Sequence, residues 1–379
     1  MSITNMTSPR LKELADNSIK LIRWNQHPSG GYTASPLFMH YAFSWLRDGS
    51  FIAFAMDTAG QVESAGSFYD WVNRIIQGKA DQVRMLIDKH RRGEWIGQEQ
   101  FLHTRYHLDG RDDDHSEWGH FQLDGYGAWL WGLMQHLKAA GQDKLPEAYR
   151  QSVNTTVDYL LTFWKLPNFD CWEEHNDQVH PSTLACIYGG LKSITELDRR
   201  ADLEEACLDI REFLLSHAVA TEEQRFVKSL VPGNGSFRTG NPGVDASLMW
   251  LCEPFGVFGP EHPVMRATLE KIKSDLVTEQ GGVRRYLQDS YYGGGEWLLL
   301  TAWFGWVQLA SGDRPAAERA IAWIASKADG TGRLPEQVPD ALPDRSGYED
   351  WVRRWGPPAI PLLWSHAMYL VLYNRLYLS

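Results

Sequence analysis

Residues 297–310 read WLLLTAWFGWVQLA. Wound into a helix, this run turns apolar side chains to every side and has no face to offer water. A bilayer would need about 20 apolar residues, and this run is shorter and broken by Gly305 and Gln308. A helix of this kind must be walled in by other helices. The remaining segments decide what builds that wall.

Four more segments share the character: 51–55, 126–134, 184–191 and 362–372. Five others, 11–23, 147–164, 203–217, 265–276 and 316–325, are amphipathic and charged, so they can lie outside. From the middle of the chain on, the two kinds alternate. Periodicity and end signals predict helices at 9–23, 50–59, 62–92 (one or two), 123–140, 146–164 and 182–196. Further helices are expected at 203–217, 245–252, 263–279, 296–310, 315–327 and 361–376. Alternating inner and outer helices predict an all-α (α/α)6 barrel with six inner and six outer helices. A helical solenoid gives a similar alternation, but no fixed repeat runs through the chain. Strand patterns are nearly absent. No composition break marks a linker, so residues 1–379 are expected to form one catalytic barrel domain.

The net charge of −11 argues against nucleic acid or an anionic membrane surface as partner. Seventeen tryptophans are far more than average usage provides. Many belong in the core, but flat indole walls also suit the C–H faces of sugars. Cys171, Cys186, Cys207 and Cys252 form no C-x-x-C pair and read as reduced thiols. The first twenty residues contain no apolar signal region, which implies a cytoplasmic protein.

The chemistry-bearing residues cluster in long loops. No phosphate-binding loop, dinucleotide fingerprint, nucleophile elbow or H-E-x-x-H zinc motif is present. Asp113, Asp114 and Glu117 have a spacing that suits magnesium on a helical scaffold, so a metal-dependent lyase or synthase is one reading. An exposed acidic loop is the simpler one. Residues 168–177, NFDCWEEHND, place Glu173 and Glu174 behind Trp172. Glycoside hydrolysis needs two carboxyl groups across one bond, one of them kept protonated by burial or a neighbouring charge. Glu173 in this doublet and Glu336 in RLPEQ, 163 residues later, are candidates that only folding could bring together. Each alone reads more readily as a charged surface loop.

Ordered pieces across the chain resemble the glucoamylase family, glycoside hydrolase family 15. They are YAFSWLRD (41–48), WGHFQLDG (118–125), DCWEE (170–174), RYLQDSYYGGGEW (285–297), Glu336-Gln337 and WSHA (364–367). The resemblance implies Glu173 as general acid and Glu336 as general base. It implies Arg47 and Asp48 on the hydroxyls of the terminal glucose and Arg285 near the scissile bond. Tyr41, Trp45, Trp118, Gln122, Trp172, Glu174 and Trp297 complete the implied substrate contacts. Cys171 replaces the family's usual leucine, His120 an arginine and Gln288 a glutamate of fungal members. These departures bear on linkage and chain length. The expected activity is exo-acting, inverting release of β-glucose from a small α-gluco-oligosaccharide. Isomaltose is favoured, with α-1,4 malto-oligosaccharides and trehalose as alternatives. No metal or other cofactor is implied, since two carboxyls and water suffice. A sugar-binding protein with a dead site is a further reading.

Overall fold

The computed structural model describes residues 8–113, 118–233 and 235–378. Thirteen α-helices lie among these residues. The first six are α1 (Ser8–Trp24), α2 (Leu46–Thr58), α3 (Val62–Gly78), α4 (Ala80–Arg91), α5 (Asp124–Ala139) and α6 (Glu147–Phe163). Then follow α7 (Pro181–Ile194), α8 (Ala201–His217), α9 (Pro263–Leu276), α10 (Leu298–Ala310), α11 (Arg314–Ser326), α12 (Arg345–Trp355) and α13 (Leu363–Tyr377). None of the helices described is long and apolar enough to cross a membrane.

The inner ring closes on itself. Helix α2 packs on α5, α5 on α7, α7 on the 3-10 helix Ala246–Leu251, that helix on α10, α10 on α13, and α13 back on α2. Outside them lie α3 on α2, α6 on α5, α8 on α7, α9 on the 3-10 helix, α11 on α10 and α1 on α13. The expected six-plus-six arrangement is present, with one correction. The fourth inner element is a short 3-10 helix, not an α-helix. Asp245 caps its start by accepting from the Ser247 amide at 2.8 Å. Pro254, just beyond its end, lacks the amide needed to prolong it. Residues 62–92 form two helices, and α4 and α12 are additional to the twelve.

The all-apolar helices owe their burial to aromatic packing at the barrel axis. Phe51 of α2 lies edge-on to Trp303 of α10 (4.7 Å between centroids) and stacked on Trp364 of α13 (5.7 Å). Trp250 of the 3-10 helix meets Trp303 at 5.3 Å. Burying one such indole contributes about 4 kcal/mol by area, so this plug is a large share of the core's stabilisation. Much of the tryptophan excess is therefore structural. Helices α5 and α7 approach backbone to backbone: a Cβ on Gly190 would stand 2.6 Å from the Gly127 carbonyl oxygen. Only glycine fits there.

Eight short strands pair into four antiparallel ribbons among the described residues. They are β1 (Ser44–Trp45) with β2 (Arg105–Tyr106), β3 (Val219–Ala220) with β4 (Arg225–Phe226), β5 (Ser229–Pro232) with β6 (Phe237–Asn241), and β7 (Glu296–Trp297) with β8 (Gln337–Val338). Two of them, β1–β2 and β7–β8, carry or adjoin cavity residues: Trp45, Trp297 and, beside β8, Glu336.

Candidate active site

A cavity of about 390 Å³ opens at the loop end of the barrel. It gathers Tyr41, Trp45, Arg47, Asp48, Trp118, Trp172, Glu173, Glu174, Arg285, Trp297 and Glu336 from loops, strand ends and the start of α2, far apart in sequence. Of the expected contacts, only Gln122 is not in its lining. Gln122 is buried behind the 170–174 turn, where its amide donates to the Asp170 carbonyl and its oxygen accepts from Thr104. It holds the loop; the family resemblance of the 118–125 segment had implied it on the substrate.

The Glu173 turn is built by Asp170. One carboxylate oxygen of Asp170 accepts from the amides of Trp172 and Glu174, both at 2.9 Å. The backbone closes the turn through Glu173 N to Asp170 O (2.9 Å) and Asp170 N to Glu174 O (3.0 Å). Glu173 is left at φ +66°, a left-handed conformation that costs a non-glycine residue on the order of 1 kcal/mol. The doublet thereby splits. Glu173 accepts from the Trp45 indole and lies 3.9 Å from Arg47 Nη2. Glu174 accepts from Arg285 Nη2 at 3.3 Å and from the Tyr286 hydroxyl at 2.5 Å. Burial pushes the Glu173 carboxyl above its ordinary range, against the pull of Arg47 and the Trp45 hydrogen bond.

Glu336 is 3% exposed. It accepts from the Tyr41 hydroxyl at 3.0 Å and the Tyr291 hydroxyl at 3.3 Å, while those hydroxyls bond each other at 2.7 Å. Burial pushes its carboxyl up to about 7, with Tyr41, Arg285 and Tyr291 restraining the rise. Its loop is tied to the barrel by Glu336 N to Ala359 O (2.9 Å) and Leu334 N to His366 Nε2 (2.9 Å). The other ring nitrogen of His366 pairs with Ser18 Oγ at 2.8 Å, so α1 and α13 both brace this loop.

At another part of the cavity Arg47 Nη1 contacts Asp124 at 3.0 Å, and Arg47 Nε lies 3.6 Å from Asp48. Those two buried atoms, Arg47 Nε and Asp48 Oδ2, face each other as an ion pair beyond hydrogen-bonding distance. Burial pushes Asp48 up to about 7 despite Arg47. Arg285 is clamped by Asp289, with Nε at 2.7 Å, and lies over the rings of Trp172, Tyr291 and Trp297 at 5.1–5.4 Å.

Phe38, His40, Tyr291, Trp351 and Trp355 also line the cavity. The sequence analysis did not assign them. For Trp351 and Trp355 the available signal was their i, i+4 spacing on a charged segment, which is how one helix face presents two rings. The metal reading rested on Asp113, Asp114 and Glu117. Asp114 and Glu117 lie outside the described residues, and Asp113 accepts from Arg105 at 2.7 and 2.9 Å. Among the described residues, no group of three or more His, Cys, Asp or Glu side chains is placed to hold a metal ion.

The sequence model of the glycosyl hydrolases family 15 matches residues 8–337. The chain belongs to this family. It is therefore a glycoside hydrolase acting on glucans. An isomaltose glucohydrolase of Kribbella flavida is 41% identical over 374 residues, covering 97% of this chain and 93% of that protein. A solved variant of a glycosidase in complex with glucose superposes with a TM-score of 0.90 at 39% identity, over 98% of this chain and 99% of that one. A bacterial glucoamylase complexed with acarbose shares the family 15 fold, with a TM-score of 0.70 at 18% identity, over 96% of this chain and 55% of that one.

Proposed function

We propose that this family 15 enzyme is an exo-acting, inverting α-glucosidase that releases β-glucose from isomaltose and short isomalto-oligosaccharides. The observation that carries the reading is the meeting of Glu173 and Glu336, both pushed above the ordinary carboxylate range, in one cavity. Glu173 acts as general acid and gives its proton to the glycosidic oxygen as the C1–O bond breaks. Glu336 acts as general base and takes a proton from the water that bonds to C1 on the opposite face. The products are β-glucose and the released alcohol; exchange with solvent restores both glutamates.

Arg47 and Asp48 hold the non-reducing glucose. Both side chains line the cavity, and a guanidinium beside a carboxylate suits a pair of neighbouring sugar hydroxyls. Glu174 and Arg285, already paired, contact hydroxyls nearer the scissile bond. Trp45, Trp118, Trp172 and Trp297 supply the flat walls and Tyr41 the polar edge beside the developing cation. Short substrates are favoured because α12 brings Trp351 and Trp355 to the cavity and Trp355 meets His40 at 4.2 Å. That aromatic wall offers few hydrogen bonds to further sugar units.

The α-1,6 choice rests on the likeness to the Kribbella isomaltose glucohydrolase. Initial rates of glucose release from isomaltose, maltose, nigerose, kojibiose and trehalose test it. Isomaltose should give the highest kcat/KM. A higher value for maltose or trehalose overturns the linkage assignment, and no release from any of them overturns the activity.

A further inference from the structure

Glu173 is flanked by two residues whose side chains lead back to one buried cation. Trp172 Nε1 donates to both oxygens of Asp245, at 3.1 and 3.0 Å. Asp245 in turn lies 3.0 Å from Lys228 Nζ. On the other flank Glu174 accepts from the Tyr286 hydroxyl at 2.5 Å, and Lys228 Nζ stands 3.1 Å from the centre of the Tyr286 ring. The side chains of Lys228 and Asp245 are 3% and 2% exposed.

We infer that Lys228 is a positioning residue that holds both neighbours of the catalytic acid, Trp172 through Asp245 and Glu174 through Tyr286. The inference rests on the assignment of Glu173 as acid. A buried ammonium is costly to desolvate and is retained where its charge is used. Here it faces one ionised carboxylate and the negative face of one ring. Burial pushes Asp245 up, but Lys228 and the Ser247 amide hold it below the ordinary range, so both its oxygens stay available to the indole. The other titratable and charged groups facing this cluster are Asp170, Cys171, Glu174, His180 and Arg285; burial pushes Asp170 up to about 7, with Lys228 pulling the other way, and pushes His180 down to about 4, with Lys228 adding to the fall. Arg285 O accepts from Ala246 N at 2.8 Å, so the Asp245 segment also sits against the backbone of the sugar-binding arginine. None of this chain of contacts reaches the cavity through Lys228 itself, which does not line it.

The test compares Lys228→Met with the neutral pair Lys228→Met/Asp245→Asn, measured per folded molecule with isomaltose and with α-glucosyl fluoride. Lys228→Met should lower kcat/KM for isomaltose by about tenfold or more, since small misplacement of an acid is strongly felt. The loss should be several-fold smaller on α-glucosyl fluoride, whose leaving group needs little help from an acid. The neutral pair should show the same difference, because Tyr286 still lacks its cation. A purely structural role would lower activity equally on both substrates and would overturn the inference. So would a kcat/KM for isomaltose within about twofold of wild type in either variant. If Lys228→Met fails to fold, the neutral pair decides by the same comparison of the two substrates. The indole N–H resonance of Trp172, assigned with Trp172→Phe, gives a readout that needs no substrate. It should shift in the neutral pair, and an unmoved resonance overturns the positioning role even if the proposed activity fails.

Discussion

Tyr41 and Trp45 meet edge to face with ring centres 5.7 Å apart, and each donates a hydrogen bond to a different glutamate. Tyr41 holds Glu336 and Trp45 holds Glu173. Two rings four positions apart on one rim segment therefore set the spacing of two carboxyls that are 163 positions apart in the chain. The proposed acid and base are fixed relative to each other through these two rings.

The role assignment predicts that Glu173→Gln and Glu336→Ala each lose glucose release by a factor on the order of 10³ or more, with circular-dichroism melting still cooperative. Full activity in either variant removes that residue from the reaction.

Because water is activated on the face opposite the leaving group, the first product seen by proton NMR should be β-glucose. Appearance of the α-anomer first would require a covalent intermediate and a different use of Glu336.

The pH profile follows from Glu336, which works ionised. With its carboxyl pushed up to about 7, kcat/KM should fall as pH drops through that value. Glu173 works protonated, so activity should fall again as pH rises through its own raised value. Tyr291→Phe removes one of the hydrogen bonds that restrain Glu336. The acid limb should then move to higher pH; a move to lower pH contradicts the assignment.

The same burial predicts a stability effect. The folded protein holds the Glu336 proton more tightly than the unfolded chain, whose carboxyl titrates near 4.5. The favourable contribution is full below that value and is lost as pH rises through about 7, leaving a buried ionised group. Glu336→Gln cannot ionise. It should melt above wild type near pH 8, by up to about 3 kcal/mol, and lose that advantage near pH 4. An advantage that grows toward acid pH contradicts this account.

The outer wall predicts chain-length control. Trp355, 43% exposed, contacts His40 and is not part of the proposed catalytic pair. Trp355→Ala should raise the ratio of kcat/KM for isomaltotriose over isomaltose by about fivefold or more. An unchanged ratio places the length limit elsewhere.

The barrel was legible because five helices are apolar all round, and burial on all sides leaves few architectures open to them. The fourth inner element was misread as an α-helix because apolar character marks burial and does not distinguish 3-10 from α winding over six residues. Helix α12 escaped notice for the opposite reason. It has no fully buried residue and reads as a charged connection between prolines. Of the site, the carboxylates and arginines stood out through ordered motifs. Lys228 and Asp245 did not, since a lone lysine and a lone aspartate in loops look like surface until the fold shows what they face.

The bracing of Leu334 by His366, and of His366 by Ser18, has a bearing on biosynthesis. His366 is kept neutral, its imidazole pushed down to about 3 by burial, so the bridge does not come and go with physiological pH. The His366 bridge to the Glu336 loop forms only after α13 has emerged and docked beside α1. A nascent chain on the ribosome would carry the Glu173 turn well before that bridge could steady its distant partner.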